Sequence, residues 1–197
     1  MGVYKLSANS VKNGRTIYGS MLAGNTAFLP TDFESIATVT VGSGGASNVE
    51  FTSIPSTYTH LQIRFITRFG SVAVFKTTFN SDNGSNYAWH EIQGNGTSVT
   101  ANAGSSAAFM YGAYSNGFSA TADTFGAGVI DVLDYANANK YKTLRMLSGY
   151  DANGSGGLQL NSGLWQSTSA ITSIKITPNT STFQQYSHFA LYGIRSA

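Results

Sequence analysis

Short runs of β-branched and aromatic residues alternate with clusters of glycine, asparagine, serine and proline from Glu34 to the end of the chain. The clusters recur about every 8–12 residues, a spacing typical of an antiparallel sandwich or barrel. At 61–69, the apolar Leu61, Ile63 and Phe65 alternate with polar residues, so this run should have one buried and one wet face. We predict about ten strands, in the runs Glu34–Val41, Asn48–Ile54, Leu61–Phe69, Val72–Phe79, Tyr87–Gln93, Ala107–Tyr114, Phe125–Leu133, Tyr141–Tyr150, Gly157–Trp165, Ile171–Thr177 and Gln184–Ile194.

The segments between these runs are rich in residues that accept a positive φ or hydrogen-bond their own backbone, as turns require. The clearest of them are Gly42–Asn48, Ser81–Asn86, Gly94–Ser106, Asp151–Gly157 and Pro178–Thr182. One further segment, Asp134–Lys140, has good helix formers but is long enough for a single helical turn only. The pattern therefore predicts an all-β fold for residues 33–197.

The first 32 residues differ from this body. Glycines interrupt them, and their apolar positions follow neither a helical nor an alternating period. Lys5, Lys12 and Arg15 are basic, whereas the first acidic residue is Asp32, so the segment is locally positive. We interpret 1–32 as an extended arm, which either wraps its own domain or docks on a neighbouring subunit. Fully extended, it would reach roughly 100 Å.

Composition narrows the class of protein. The chain has 197 residues, enough for one domain with an appendage, and its 42% hydrophobic residues, including 13% aromatic, can fill a core. Only 10% of the residues are charged, against about 25% in an average soluble domain. The surface should therefore consist of hydroxyl and amide groups, and contacts with partners should depend on packing and backbone hydrogen bonds more than on ion pairs.

Several classes of partner and compartment are not expected. The net charge is only +2 and no basic run interleaves with aromatic residues, which argues against a nucleic-acid partner. The chain has no cysteine, so disulfides and thiolate sites are excluded. No apolar run approaches the length of a membrane span, and the first residues lack the pattern of a secretory signal. We expect no membrane partner.

Motifs for nucleophilic, phosphate-binding or metal chemistry are missing. No window has the Gly-x-Ser-x-Gly spacing of a nucleophile elbow. His60, His90 and His188 stand at least thirty residues apart, so a zinc site would have to assemble from distant strands. We expect these histidines to be surface residues or hydrogen-bonded sheet residues. His90 and Glu91 should point to opposite faces of their strand and not act as an acid–base pair.

Carboxylates leave two alternatives open. Asp82 or Asp151 could belong to a calcium site outside the EF-hand pattern, although a turn stabilised by the side chain is the favoured interpretation. Two of the nine acidic residues could converge as a glycosidase pair, which spacing along the chain does not test. With so few acids and no motif, we expect a protein that is not an enzyme and has no cofactor, metal or catalytic residue.

Aromatic residues near predicted loops are the remaining chemical signal. Tyr87 and Trp89 share one face of a strand, Tyr111 and Tyr114 lie near a loop, and Trp165 follows a glycine-leucine pair. Such rings either stack on sugars or anchor the core. Neutral loops of asparagine, serine and threonine beside accessible rings would suit host surface carbohydrate.

Six stretches of the chain together carry a family resemblance: YGSMLAG at 18–24, ESIATVTVGSGGA at 34–46, FTSIPSTYTHLQIR at 51–64, DYANANKYKT at 134–143, SGLWQSTSAITSI at 162–174 and FALYGIRS at 189–196. They resemble small structural proteins of tailed bacteriophage virions, especially those of phages of aquatic and cyanobacterial hosts. The resemblance covers nearly the whole body and part of the arm. It implies a jelly-roll-like antiparallel β-sandwich, assembled into the virion in the host cytoplasm, and it transfers no catalytic residue.

Within that family the resemblance leaves two roles: a capsid decoration or cement protein that bridges capsid subunits, and a tail-fibre or tail-tip adhesin module that binds host glycan. The chain has no heptads or collagen-like triplets of a fibre shaft, which favours the first role. We expect the arm and one exposed sheet face to contact the major capsid protein or another virion protein, and the chain to form a small homo-oligomer. The docking residues that we predict in the arm are Tyr4, Leu6, Val11, Arg15, Ile17, Tyr18, Met21 and Leu22.

Overall fold

The computed structural model describes residues 33–71, 73–115 and 123–195. These residues form two antiparallel sheets and no helix, so none is long and apolar enough to cross a membrane. The predicted all-β sandwich is therefore confirmed, while the predicted arm, 1–32, lies outside the described residues. The strands are β1 (Phe33–Thr40), β2 (Val49–Phe51), β3 (His60–Thr67), β4 (Ala73–Phe79), β5 (Tyr87–Gly94), β6 (Val99–Ala107), β7 (Met110–Ser115), β8 (Gly126–Leu133), β9 (Lys142–Asp151), β10 (Gly156–Trp165), β11 (Ile174–Pro178) and β12 (His188–Ile194).

Eight of the strands form a jelly roll. They make four antiparallel pairs, β1 with β12, β2 with β11, β3 with β8 and β4 with β7. The pairs β1·β12 and β3·β8 lie side by side in one sheet, and β2·β11 and β4·β7 lie side by side in the other. A ribbon of four strand pairs divided between two sheets in this way is the jelly-roll arrangement.

The other four strands are additions to that framework. The hairpin β5–β6 is inserted between β4 and β7, and the hairpin β9–β10 is inserted between β8 and β11. Both hairpins extend the larger sheet, which runs β1-β12-β3-β8-β9-β10-β5-β6, whereas the smaller sheet keeps the order β2-β11-β4-β7. We call the four added strands, β9, β10, β5 and β6, the wing.

The sequence prediction missed one strand of the wing. We assigned 94–106 to turns, but Val99–Ala107 forms β6, which pairs with β5 along its length. The reason is that β6 is exposed on both faces and consists of small and polar residues, so no hydrophobic alternation marks it. The described residues thus form twelve strands, one more than the eleven runs that the sequence indicates.

The core lies between the two sheets and is largely aromatic. Phe75 of β4 is fully buried and contacts four other rings, those of Phe65, Phe69, Phe183 and Phe189, at centroid distances of 4.8 to 5.9 Å. The inward residues of β3, Leu61, Ile63 and Phe65, are buried as their alternation predicts.

The segment between β8 and β9 is a succession of turns, not a helical turn. Lys142 is fully buried, and its Nζ donates to the backbone carbonyls of Asn137, Lys140 and Thr168 at 2.6, 2.9 and 3.1 Å. Burial lowers the pKa of Lys142. Because one ammonium group satisfies three carbonyls, the backbone at 137–140 need not form helical hydrogen bonds.

A turn between β4 and β5 connects the wing to the core. Asp82 accepts hydrogen bonds from the Gly84 N–H at 2.8 Å, the Asn86 amide at 2.9 Å and the indole Nε1 of Trp165 at 2.7 Å. Burial by itself would raise the pKa of Asp82, but the bonds from Trp165, Asn86 and Gly84 outweigh it and hold that pKa below its ordinary value of 3.8. Ionised Asp82 therefore stabilises the fold.

The substitution Asp82→Asn should reduce stability in a way that depends on pH. Because the pKa of Asp82 is lower in the folded chain than its ordinary 3.8, the unfolded chain binds more protons near that pH. The stabilisation by Asp82 is then complete above the ordinary pKa and is lost as pH falls through the folded value.

Urea unfolding between about pH 6 and about pH 2.5 measures this effect. The difference in unfolding free energy between the natural chain and Asp82→Asn should narrow as pH falls. Asn83→Ala is the control, since it removes only the neutral bond from the Asn83 amide to the Ser81 carbonyl, and its cost should not change with pH. A difference for Asp82→Asn that stays constant across the range would contradict the assignment.

Candidate functional site

Two of the five aromatic residues that we considered for sugar stacking are core anchors. Tyr87 and Trp165 are 0% and 2% exposed, and their rings stack at 6.4 Å with an interplanar angle of 18°. The Tyr87 hydroxyl donates to the Asp82 carbonyl at 3.1 Å and accepts from the Phe79 N–H at 3.0 Å. Burial raises the pKa of Tyr87 to about 12. Neither ring presents a face to a ligand.

Two others lie together at the edge of the smaller sheet. Trp89 of β5 and Tyr111 of β7 are half-buried, with ring centroids 5.2 Å apart and an interplanar angle of 35°. Trp89 covers Gly104 of β6 so closely that a Cβ there would lie 2.5 Å from the indole Nε1. The fifth residue, Tyr114, belongs to β7, and its side chain is outside the described part of the structure.

Two of the histidines lie on strands of the larger sheet and contact neighbouring polar groups. His60 Nδ1 accepts from the Asp134 N–H at 3.0 Å, and His188 Nδ1 lies 2.8 Å from the Thr40 hydroxyl. Within 33–71, 73–115 and 123–195, no three His, Asp or Glu side chains could hold a metal ion together. The oxygens of Asp82 are occupied by the donors of its turn, as the turn interpretation predicts.

A cleft of about 620 Å³ lies between the tips of the β5–β6 and β9–β10 hairpins. Six glycines form most of its wall, together with Asn95, Tyr150, Ser155, Leu158 and one carboxylate, that of Asp151. The Asp151 Oδ1 accepts a hydrogen bond from the Asn153 N–H at 2.8 Å. A glycosidase needs two carboxyl groups that flank the scissile bond, and this lining supplies one.

Parts of β10 and β5 reverse the usual distribution of polar and apolar residues. On β10, Gln159 and Asn161 are 1% and 2% exposed, whereas Leu158 and Leu160 are 60% and 51% exposed. On β5, Glu91 is 8% exposed and its neighbour Ile92 is 49% exposed. Since successive side chains of a strand point to opposite faces, Gln159, Asn161 and Glu91 face the smaller sheet, as Tyr87 and Trp165 do farther along the same strands, while Leu158, Leu160 and Ile92 face outward.

Hydrogen bonds around Glu91 hold the polar residues inside. Its Oε1 accepts from the Asn102 amide of β6 at 2.8 Å, and its Oε2 accepts from the amides of Gln159 and Asn161 of β10, the latter at 3.3 Å. Gly112 of β7 lies directly above, since a Cβ on it would be 2.7 Å from the Asn161 side chain. One carboxyl group therefore connects three strands of the wing under the edge of the smaller sheet.

The outward residues of the wing form an apolar row across neighbouring strands. Val129 of β8 pairs with Leu147 of β9, which pairs with Leu160, then Ile92, then Ala101 of β6. Directly paired residues share a face, so the row crosses five strands and is about 19 Å long. Beside it, Leu158 and Val99 are 60% and 69% exposed. We call these side chains, with Val129 and Ala101 at the ends, the outer apolar row.

Polar groups border this row on one side. Asp131 accepts from the Gln62 amide at 2.9 Å and lies 3.4 Å from the Arg145 guanidinium, and Arg64 donates to Gln62 at 2.9 Å. Ser162 and His90 continue the border on β10 and β5. An apolar centre with a polar border is the usual composition of a protein–protein interface.

Sequence reasoning did not identify this surface. The alternation of Leu158, Gln159, Leu160 and Asn161 is visible in the chain, but the ordinary rule would turn both leucines inward. The buried positions of Trp165 on β10 and of Glu91 on β5 reverse that assignment. His90 and Glu91 do point to opposite faces, exposed and buried, as predicted.

Comparison of the chain with family models, curated proteins and solved structures gives no match. The site therefore has to be interpreted from its own geometry. The arm residues that we predicted for docking, from Tyr4 to Leu22, lie outside the described residues.

Replacing Glu91 by alanine should destabilise the wing, because the amides of Gln159, Asn161 and Asn102 would lose a common acceptor while two of them stay buried. Hydrogen bonds to a charged group and unsatisfied buried donors together cost about 2–3 kcal/mol. Urea unfolding measures the change. The adjacent, exposed His90→Ala should alter stability by less than about 0.5 kcal/mol, and equal effects of the two variants would refute the role given to the carboxyl group.

Proposed function

We propose that the chain is a non-enzymatic structural protein of a bacteriophage virion, a capsid decoration or cement protein that docks through the outer apolar row. The observation that carries this proposal is the row itself. Monomeric proteins rarely expose a continuous apolar surface of this kind without a partner to cover it. The resemblance to virion proteins of tailed phages supplies the class of partner, the major capsid protein or another head protein.

The position of the row supports a docking role. It lies almost wholly on the wing, which is not needed to complete the eight-stranded jelly roll. The wing buries Glu91, Gln159 and Asn161 while leaving leucines exposed, an arrangement that costs stability in an isolated chain. A partner that covers the leucines recovers hydrophobic free energy of about 25 cal/mol for each Å² of apolar surface removed from water.

An adhesin module of the tail fibre or tail tip is the second candidate function. It is supported by the contact of Trp89 with Tyr111, whose hydroxyl lies 3.4 Å from the Asn179 amide, since rings next to neutral donors suit carbohydrate. The ring faces are half-buried against each other and against Gly104, which leaves a smaller binding surface than the outer row. We therefore rank docking on the capsid first.

The substitution Leu160→Lys tests the docking surface. Leu160 is at the centre of the row and 51% exposed, so a lysine there should leave the fold intact and introduce a charge into the buried centre of the interface. We expect binding to phage heads that lack this protein to weaken at least about tenfold. Co-sedimentation with such heads measures it.

Tyr186→Lys is the matched control, because Tyr186 is 68% exposed and lies between β11 and β12, away from the wing. It should bind heads like the natural chain. Normal head binding by Leu160→Lys, with its stability checked by urea unfolding, would exclude the outer row as the docking surface.

Removal of residues 1–32 tests the second part of the interaction, the predicted arm. The strand pairs that make up the jelly roll all lie within 33–195, so the truncated chain should stay folded. We expect it to bind heads more weakly than the full chain, because the arm adds contacts on neighbouring subunits. Cooperative unfolding together with undiminished head binding would show that the arm does not dock.

A further inference from the structure

We infer that two copies of this chain associate through β6, whose free edge pairs antiparallel with the β6 edge of the second copy. The larger sheets of the two copies would then join into one continuous sheet of sixteen strands. This inference does not rest on the proposed function, since it concerns the isolated protein.

The first observation is that β6 ends the larger sheet. In the described part of the chain it has a hydrogen-bonded neighbour only on the β5 side. In an antiparallel ladder, every second residue directs its N–H and C=O groups away from the existing neighbour. Seven of the nine residues of β6 are exposed and the other two are half-buried, so these outward backbone groups are accessible to another strand.

The second observation is that β6 carries no charge and no proline, and its one register shift, at Ser105 and Ser106, lies beyond Gly104. Sheet edges usually carry lysine, proline, inward charges, bulges or very short strands. Between Glu91 and Asp123 the chain has no charged residue and no proline. The side chains of the regular part, Val99 to Gly104, are small or neutral and allow close approach.

The other edges of the two sheets differ. β1 has a bulge between Ser35 and Ala37, and its Glu34 is bonded to Tyr58 and Arg195. β2 is three residues long and carries Glu50. β7 has a register shift opposite Val74 and Phe75 and packs against β10. Among the described edge strands, β6 alone combines an uncharged sequence with six residues of regular pairing, Val99 to Gly104.

The third observation identifies a second copy as the partner. Two-fold pairing about an axis normal to the sheet is self-complementary, since each edge meets an identical one. Directly opposite residues must share a face, so the pairing is centred on Ala101 or on Asn102, in the middle of the regular part. With the first centre, Val99 faces the partner's Ala103, and Thr100 faces the partner's Asn102.

Continuity of the apolar surface favours the same arrangement. The outer apolar row ends at Ala101 on β6, and the pairing would bring it next to the same row of the second copy on the same side of the sheet. Val99 is 69% exposed on the edge strand, and the second copy would cover part of its side chain. The pair would then present one apolar surface about 43 Å long, twice the docking surface of a single chain.

The substitution Ala101→Lys tests the pairing. Ala101 is exposed, so a lysine does not disturb the fold of one chain, but two lysines would meet at the centre of the dimer and repel. Sedimentation equilibrium of the full chain at roughly 100 µM should show a dimer, and Ala101→Lys should raise its dissociation constant at least about tenfold. Ala127→Lys, the same change on the outer face of β8, should leave the dimer unchanged.

Any of three other results would overturn the inference that two copies pair through β6. A natural chain that is monomeric at this concentration has no β6 dimer. If Ala101→Lys still forms a dimer and Leu160→Lys does not, the two copies associate through the outer faces of their sheets and not through β6. A monomer whose β6 amides become protected from hydrogen exchange only on phage heads pairs β6 with a strand of another protein.

Discussion

Buried side chains on β5 and β10, namely the carboxyl group of Glu91 and the rings of Tyr87 and Trp165, determine which face of the wing points outward. Strand side chains alternate, so a shift of one residue would exchange every inner residue of β5 and β10 for an outer one. That shift would bring Leu158, Leu160 and Ile92 inside, but it would also turn Tyr87 and Trp165 out of the core. The hydrogen bonds of Glu91 to Asn102, Gln159 and Asn161 oppose it, since they require these four polar residues to meet on the inner face.

Two parts of the molecule thus have different physical roles. The eight-stranded jelly roll has an ordinary core, in which Phe75 and the rings around it are fully buried and polar residues lie outside. The wing adds Tyr87 and Trp165 to the core beside Phe79, but it also lengthens one sheet beyond the jelly roll and leaves leucines in water. Its edge, β6, lacks charge as well. The exposed leucines and the uncharged edge reduce the stability and solubility of an isolated chain, but they provide contacts in an assembly. This is the basis of the proposal of a virion structural role.

The sequence predicted the framework because its strands obey simple rules. Leu61, Ile63 and Phe65 alternate with polar residues and are buried where that alternation places them, and glycine-rich and asparagine-rich clusters mark the turns. It did not predict β6, which buries neither face and so carries no period. It did not predict the outer apolar row, since the direction of Leu160 depends on which residues of β10 are buried, and these are Gln159, Asn161 and Trp165. Tyr87 and Trp165 have the same residue types as sugar-binding rings, and only their neighbours, above all Asp82, identify them as core anchors.

The most direct test is an electron cryo-microscopy map of the intact virion in which this chain is located. The account predicts density that repeats over the head lattice, with the outer face of β9, β10, β5 and β6 against a capsid subunit and Leu147 and Leu160 in the contact. Density on the head with this face turned to solvent would contradict the docking surface. Density confined to the tail or its tip would contradict the capsid role and favour the adhesin module with Trp89 and Tyr111.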